Sequence, residues 1–326
     1  MNTRLVFAGE ALVDLVMQVP ALPERGGDML AASSSVQVGG GFNIMAAAAR
    51  QGLPVIYAGG HGTGPWGDRV RAALAAEGIA VLRPPDSAAD TGFDVALVEA
   101  GGERTFVTSL GAETLRSPGA WDNVRIRAGD TIYVSGYGLV APDSGAVLGA
   151  WVAALPPAAL LFTDPGPLVA DIPAAVLGPV LGRSDWWSCN QREAALLTEA
   201  SDPVEAARRL ARRTGRAGVI VRAGPSGCVL ALRRSASAGV AQPGLSLSDI
   251  PAPAVTAVDT TGAGDAHAGV FLAGLAAGLA PAAAAWRANN AAAMAVTRVG
   301  PATSPSRAEL DEFLARDRRP GAWTGA

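Results

Sequence analysis

Lysine is missing from this chain: all 26 basic side chains among its 326 residues are arginine. A Walker A loop needs Gly-Lys-Ser/Thr to grip phosphates, so that way of holding a nucleotide is excluded. Cysteine is scarce as well. Cys189 and Cys228 form no C-x-x-C or Cys/His pattern, and the expected compartment is a reducing one. Histidine is limited to His61 and His267, too few for a histidine metal site or a Ser-His-Asp triad, so packing or turn roles are expected of both. No apolar run reaches the roughly 18 residues of a membrane helix. The N-terminal run is broken by Gly9, Glu10 and Asp14 and is too short and polar for a signal peptide. Net charge is −3 with no basic run, so nucleic acid is not an expected partner. The expectation is a soluble, cytoplasmic protein without membrane partners.

What the chain does have is an apolar fraction of 49% against 17% charged residues, enough for a well-buried core. Apolar, β-prone runs predict strands over 5–8, 12–19, 29–38, 55–58, 131–134, 160–163, 186–189, 219–222 and 229–232. Helical spacing predicts helices over 42–51, 69–77, 146–154, 192–198, 204–213 and 282–296. A hairpin over 93–99 and 105–109 turns at Gly101-Gly102, and 243–253 reads as a surface connection. Strands alternating with helices imply an α/β fold: a three-layer, doubly wound, mostly parallel sheet. Residues 12–37 and 92–109 break the alternation and read as a small β-sheet lid on a core of 1–11, 38–91 and 110–326.

The most specific feature is Asp259-Thr260-Thr261-Gly262-Ala263-Gly264-Asp265, read as following a strand over 255–258 and opening an Ala-rich helix. The N–H groups of Gly262, Ala263 and Gly264 would point out of the first turn, where the helix dipole is positive, and form an anion hole without lysine. Asp265 at its rim is placed to take a proton from an attacking hydroxyl as charge develops on a phosphoryl group.

These residues resemble the ribokinase-like carbohydrate kinases, the PfkB family, whose C-terminal signature is D-T-x-G-A-G-D. The resemblance spans nearly the whole chain. It implies ATP-dependent phosphorylation of a hydroxyl on a sugar-like substrate, with Asp265 as base and Gly262, Ala263 and Gly264 as anion hole. Asp14, Gly39, Gly40 and Asn43 match the elements that bind the sugar, and Arg104 could reach an anionic group from the lid. Asn190 and Glu193 match N-x-x-E, whose glutamate organises Mg2+ through water. Arg222, Gly224 and Gly227 match the nucleotide-side turn, Thr260 lines the same groove, and Asn289 or Asn290 could face adenine. In some members a monovalent cation such as K+ binds beside the loop; the matching positions are Asp259, Thr261, Ala295, Arg298, Gly300 and Ser304. An exposed lid face would suit a homodimer.

Several positions depart from the family. Aligned on Asn43, its paired glycines fall at Val38 and Gly39, and Gly40 replaces the lysine of ribokinases proper. Ala266-His267 stands where an aromatic Phe is common, and 134–137 lacks the sugar-binding acid of some relatives. Ribose is therefore not the implied substrate, and a nucleoside remains an alternative. A regulator that binds sugar or nucleotide without turnover is an alternative of another class. A third is an NAD-dependent dehydrogenase, because Gly62-Thr63-Gly64-Pro65-Trp66-Gly67 fits G-x-G-x-x-G with Asp86 about twenty residues on. Pro65 and Trp66 would crowd that turn.

Overall fold

The computed structural model describes residues 3–101, 103–214, 216–233 and 244–316. Gly102 of the expected turn and Pro243 of the expected connection lie outside them. In chain order the elements are β1 (Leu5–Phe7), β2 (Ala11–Val19), β3 (Ser33–Gly40), α1 (Gly41–Arg50), β4 (Val55–Tyr57), α2 (Pro65–Ala76), β5 (Ala80–Val81), β6 (Phe93–Glu99) and β7 (Arg104–Ser109). Then come β8 (Thr131–Ser135), α3 (Tyr137–Val140), α4 (Pro142–Ala153), β9 (Leu160–Asp164), α5 (Ala174–Arg183), β10 (Trp186–Asn190), α6 (Gln191–Thr198), α7 (Pro203–Thr214) and β11 (Gly218–Arg222). The chain continues through β12 (Cys228–Arg233), β13 (Leu245–Ile250), α8 (Ala263–Ala276), α9 (Pro281–Ala295) and α10 (Arg307–Arg316).

Among the described residues a nine-stranded sheet runs β13-β12-β11-β10-β9-β8-β1-β4-β5, parallel except where β12 and β13 turn back antiparallel at one edge. Its central strands are continuous apolar runs, buried on both faces by helices. A second, four-stranded sheet runs β3-β2-β6-β7. The chain leaves the large sheet after β1, builds β2 and β3, and returns through α1; it leaves again for β6 and β7.

One face of the large sheet carries an aromatic row. Phe7, Tyr133 and Phe162 stack at centroid distances of 5.0 and 5.5 Å, and Phe271 of α8 wedges between Phe162 and Trp186 at 6.2 and 5.0 Å. This wedge docks α8 so that its N-terminus lies at the carboxyl ends of the parallel strands, where doubly wound folds place ligands. Helix α1 crosses α8 at Gly269, where an added Cβ would lie 2.6 Å from Ala47 Cβ and from the Ile44 carbonyl. Only glycine allows that approach, and through it Asn43 of α1 reaches Asp265 of α8.

Three sequence expectations need correction. Residues 255–258 form no strand: Pro251 and Pro253 remove ladder donors, and the Val258 and Asp259 N–H groups donate to Val296 O at the end of α9. The stretch read as a surface connection instead contains β13, an edge strand paired with β12. The strand expected from 29 starts only at Ser33 and continues to Gly40. Helices α5 and α10 and the two-residue β5 were not anticipated. Trp187 is fully buried core and Trp186 nearly so. Among the described residues, no helix is long and apolar enough to cross a membrane.

Candidate active site

At the start of α8 the backbone turns through Gly262, whose φ of +73° is left-handed and whose added Cβ would collide with the Pro301 carbonyl. Ala263 N–H closes a turn onto Thr260 O at 3.3 Å. The N–H groups of Gly262, Gly264 and Asp265 have no acceptor among the described residues. The open donors are thus Gly262 and Gly264, as the sequence suggests, joined by Asp265 itself in place of Ala263.

Asp265 Oδ2 accepts from Asn43 Nδ2 at 2.9 Å. Removal from water pushes the Asp265 carboxyl up to about 6; Asn43 opposes this, Asp164 adds to it, and Arg222 opposes it. Asn43 is 5% exposed, and its Oδ1 has no hydrogen-bond partner among the described residues.

Three strand ends meet below the loop. Arg222, the last residue of β11, donates to Asp164 Oδ2 at 2.7 Å and to Ser188 Oγ at 2.6 Å, and lies 3.8 Å from Glu193 Oε2. Its guanidinium also lies about 3.5 Å from where a Cβ on Gly264 would be. Despite burial, Asp164 and Glu193 keep Arg222 firmly charged. Asn190 and Glu193 form a capping box at the start of α6, each satisfying the other's polar atoms at 2.7–2.9 Å. Burial pushes Glu193 up, Asp164 pushes it further, and Arg222 pulls it back.

Opposite stands the small sheet. Asp14 of β2 and Asp94 of β6 are register partners in parallel strands. Burial raises the Asp14 carboxyl, and the charge of Asp94, the hydrogen bond the two share and the charge of Asp265 raise it further; burial raises that of Asp94, against the bond to Asp14. Asp14 folds back over Gly39, where an added Cβ would push its carboxylate aside, and Gly40 ends the strand at a φ of +59°. Glu10 is buried against Arg116. Tyr137 of α3 is 55% exposed, and its hydroxyl is pushed up by desolvation and then by the charges of Asp265, Glu193, Asp164 and Asp94.

Other residues expected at the site have structural partners. Arg104 donates to Asp259 Oδ1. Asp259 also accepts from Thr261 N at 2.8 Å and Gly300 N at 3.1 Å, and these bonds hold its carboxyl below the usual range against burial. Ala295 O accepts Thr303 Oγ1 and Arg298 N, both at 3.1 Å, Arg298 Nη2 donates to Glu309, and Ser304 O accepts Arg50. Asn289 Nδ2 donates to Ile250 O and Pro251 O at 2.8 and 3.2 Å, pinning α9 to the sheet edge. Gly224 and Gly227 frame the turn between β11 and β12, both at positive φ. His267 is buried against Phe271 and pushed down to about 3 by burial and Arg222, so it stays neutral. His61 bonds to Arg83 O and Arg71.

The G-x-G-x-x-G stretch is closed. At the start of α2, Trp66 N and Gly67 N donate to Asp90 at 3.1 and 2.8 Å, so an internal carboxylate fills the place a pyrophosphate would take. A cavity of about 210 Å³ lined by Val270, Ala273, Leu279 and Arg307 lies along the later turns of α8, away from the cleft.

The sequence reading missed Asp94, Asp164, Ser188 and Arg116. Asp164 and Ser188 had a weak signal, a polar residue at or near the end of a buried strand. Asp94 had another, an acid on a strand expected to pair within the lid.

Residues 2–308 match the family model described as pfkB family carbohydrate kinase. The chain is 33% identical over 310 residues to the uncharacterized sugar kinase YegV of Escherichia coli (strain K12), covering 94% of this chain and 92% of that one. It is 30% identical over 291 residues to a fructokinase of Klebsiella pneumoniae, covering 85% and 86%. Its fold is similar to that of a ribokinase from Giardia lamblia, with a TM-score of 0.81 at 22% identity, covering 97% and 99% of the two chains.

Proposed function

Starting from the family to which this chain belongs, the pfkB carbohydrate kinases, we propose that it transfers the γ-phosphoryl group of ATP to a hydroxyl of a small sugar, with Asp265 as the base. The observation that carries this is the juxtaposition at α8: N–H donors without an acceptor beside a carboxylate fixed by Asn43. The substrate hydroxyl binds at Asp265 with Asn43 Oδ1 as a further acceptor. As its oxygen bonds to the γ-phosphorus, the proton passes to Asp265, the bond to the β-phosphate oxygen breaks, and ADP leaves. The N–H groups of Gly262, Gly264 and Asp265 meet the charge on the phosphoryl oxygens, and Arg222 lies just beneath. The β2-β3-β6-β7 sheet acts as a lid that keeps out competing water.

Mg2+ neutralises phosphate oxygens when bound with the nucleotide. Among the described residues no group of three carboxylate, histidine or cysteine side chains could cage a metal. The paired acids Asp164 and Glu193, with Asn190, suit an ion held through its own waters. The monovalent-cation positions fit less well. Asp259 already neutralises Arg104 and accepts two N–H groups, and Ala295 O has two donors. In this reading the Arg104 guanidinium supplies the positive charge at Asp259, and K+ is dispensable. Phe106, Val107 and Leu110 are exposed on and just beyond β7 and would cover one another in a homodimer, which light scattering would detect.

The test is ADP release from MgATP across sugars, sugar acids, sugar phosphates and nucleosides. Turnover that disappears in Asp265→Asn supports the reading. No turnover on any acceptor, with a ligand still raising the melting temperature, would favour a binding protein.

A further inference from the structure

Asp94 belongs to no motif, yet it stands beside Asp14 on the lid face over the cleft. Register pairing of β2 and β6 sets the two carboxylates side by side. Asp14 is 8% exposed, and Asp94 Oδ1 is buried without a hydrogen-bond partner among the described residues. Asn43 Oδ1, on a side chain 5% exposed, likewise has none. Asn43 and Asp14 border the space in front of Asp265: Asn43 bonds to it, and the charge of Asp265 acts on Asp14, beside which Asp94 stands. Beyond the hydrogen bond that Asp14 and Asp94 share, the substrate end of the cleft thus keeps Asp94 Oδ1 and Asn43 Oδ1 as acceptors that only a donor can satisfy.

The cations nearby are committed. Arg104 is held by Asp259, Arg116 by Glu10, and Arg222 by Asp164 and Ser188. A sugar phosphate or sugar acid entering here would face these acids, while the guanidiniums of Arg104, Arg116 and Arg222 are each already paired with one of the protein's own carboxylates. A sugar hydroxyl is a donor and would supply what the acceptors lack.

We propose that Asp94, acting with Asp14, determines specificity: the pair accepts hydrogen bonds from two neighbouring hydroxyls of an uncharged sugar and turns away anionic sugars. This rests on the kinase reading of the same cleft and extends it to the class of acceptor.

The test uses the full chain with D-fructose, D-glucose and D-ribose against D-gluconate and fructose 6-phosphate, followed both by ADP release and by melting temperature without nucleotide. For the wild type, kcat/KM for the best uncharged sugar should exceed that for either anion by more than tenfold. Asp94→Asn should raise KM for that sugar by more than threefold, about tenfold for a lost charged hydrogen bond, with kcat falling by less than KM rises. A merely structural role for Asp94 would lower the melting temperature and leave KM in place. An anion used within tenfold of the best sugar, or a KM within threefold of wild type in Asp94→Asn, overturns the proposal. If nothing turns over, the kinase reading fails and melting decides. A shift with an uncharged sugar that is lost in Asp94→Asn sustains the assignment, and no shift with any uncharged sugar refutes it.

Discussion

Helices α2 and α8 both begin behind glycine-rich turns, yet their first-turn N–H groups meet different partners. At α2 those of Trp66 and Gly67 donate to Asp90, whereas at α8 those of Gly264 and Asp265 find no acceptor among the described residues. Both helix ends carry the same dipole and the same orphan donors. The glycines permit each turn, but what fills the donors decides whether the end is a cap or a site. At α2 the chain supplies its own carboxylate from the segment before β6. At α8 the nearby carboxylate, Asp265, lies within the helix and is turned aside to Asn43, which leaves the axis open.

Substitutions at the two ends should therefore separate cleanly. The largest effect is expected for Asp265→Asn, which keeps the shape but removes the base. ADP release should fall by roughly 10²–10⁴-fold while ATP still raises the melting temperature. Gly262→Ala forces a side chain into left-handed backbone and against Pro301, displacing the donors; kcat should fall about a hundredfold, measured with the same assay. Arg104→Ala removes the charge beside Asp259. Wild-type turnover should be equal within about twofold in K+ and in choline, and the variant should lose about tenfold in choline and regain activity with K+, a loss the size of one charge-assisted contact. The smallest catalytic effect belongs to the closed end. Asp90→Ala should lower stability by about 1 kcal/mol, as for a lost N-cap, read by denaturant melts, with ADP release within about twofold of wild type.

The difference between the two ends also marks what could be read in the sequence. The loop at 259–265 and the Asn190–Glu193 capping box are each written in residues a few positions apart, so spacing alone exposes them, although Val296, Gly300 and Arg104 hold the loop from a distance. The buried runs of β1, β8 and β11 announce a parallel sheet because they are apolar without alternation. The closure of α2 is not local, since Asp90 caps it from more than twenty residues away. Asp94, Asp164 and Arg116 acquire meaning only when separate strands and loops meet; a place on or at the end of an expected strand is a weak local cue for Asp94 and Asp164, and Arg116 has none. Arg104 falls in the expected lid, one residue before its expected second strand, whereas the strand begins at Arg104 itself; its partner Asp259 lies 155 residues further along and no short-range rule connects them. The expected strand over 255–258 failed because apolar, β-prone residues were counted without the prolines just before them. That segment is pinned to the end of α9 instead.

The central claim is that Asp265 works as an ionised base at an open helix end. Its carboxyl is raised to about 6, first by burial, with Asn43 opposing, Asp164 adding to the rise and Arg222 opposing it. A base must be deprotonated to act, so kcat/KM should fall tenfold per pH unit below about 6 and level off above it. Asp164→Asn removes a charge that raises Asp265 and frees Arg222 to lower it, so the acid limb should move to lower pH whatever happens to the absolute rate. The most direct measurement is kcat/KM for ADP release from pH 4.5 to 8.5 in the wild type and in Asp164→Asn. A limb near 6 that shifts downward in the variant is the predicted result. A profile flat through pH 6, or a limb that stays in place when Asp164 is neutralised, would contradict the assignment of Asp265 as the base.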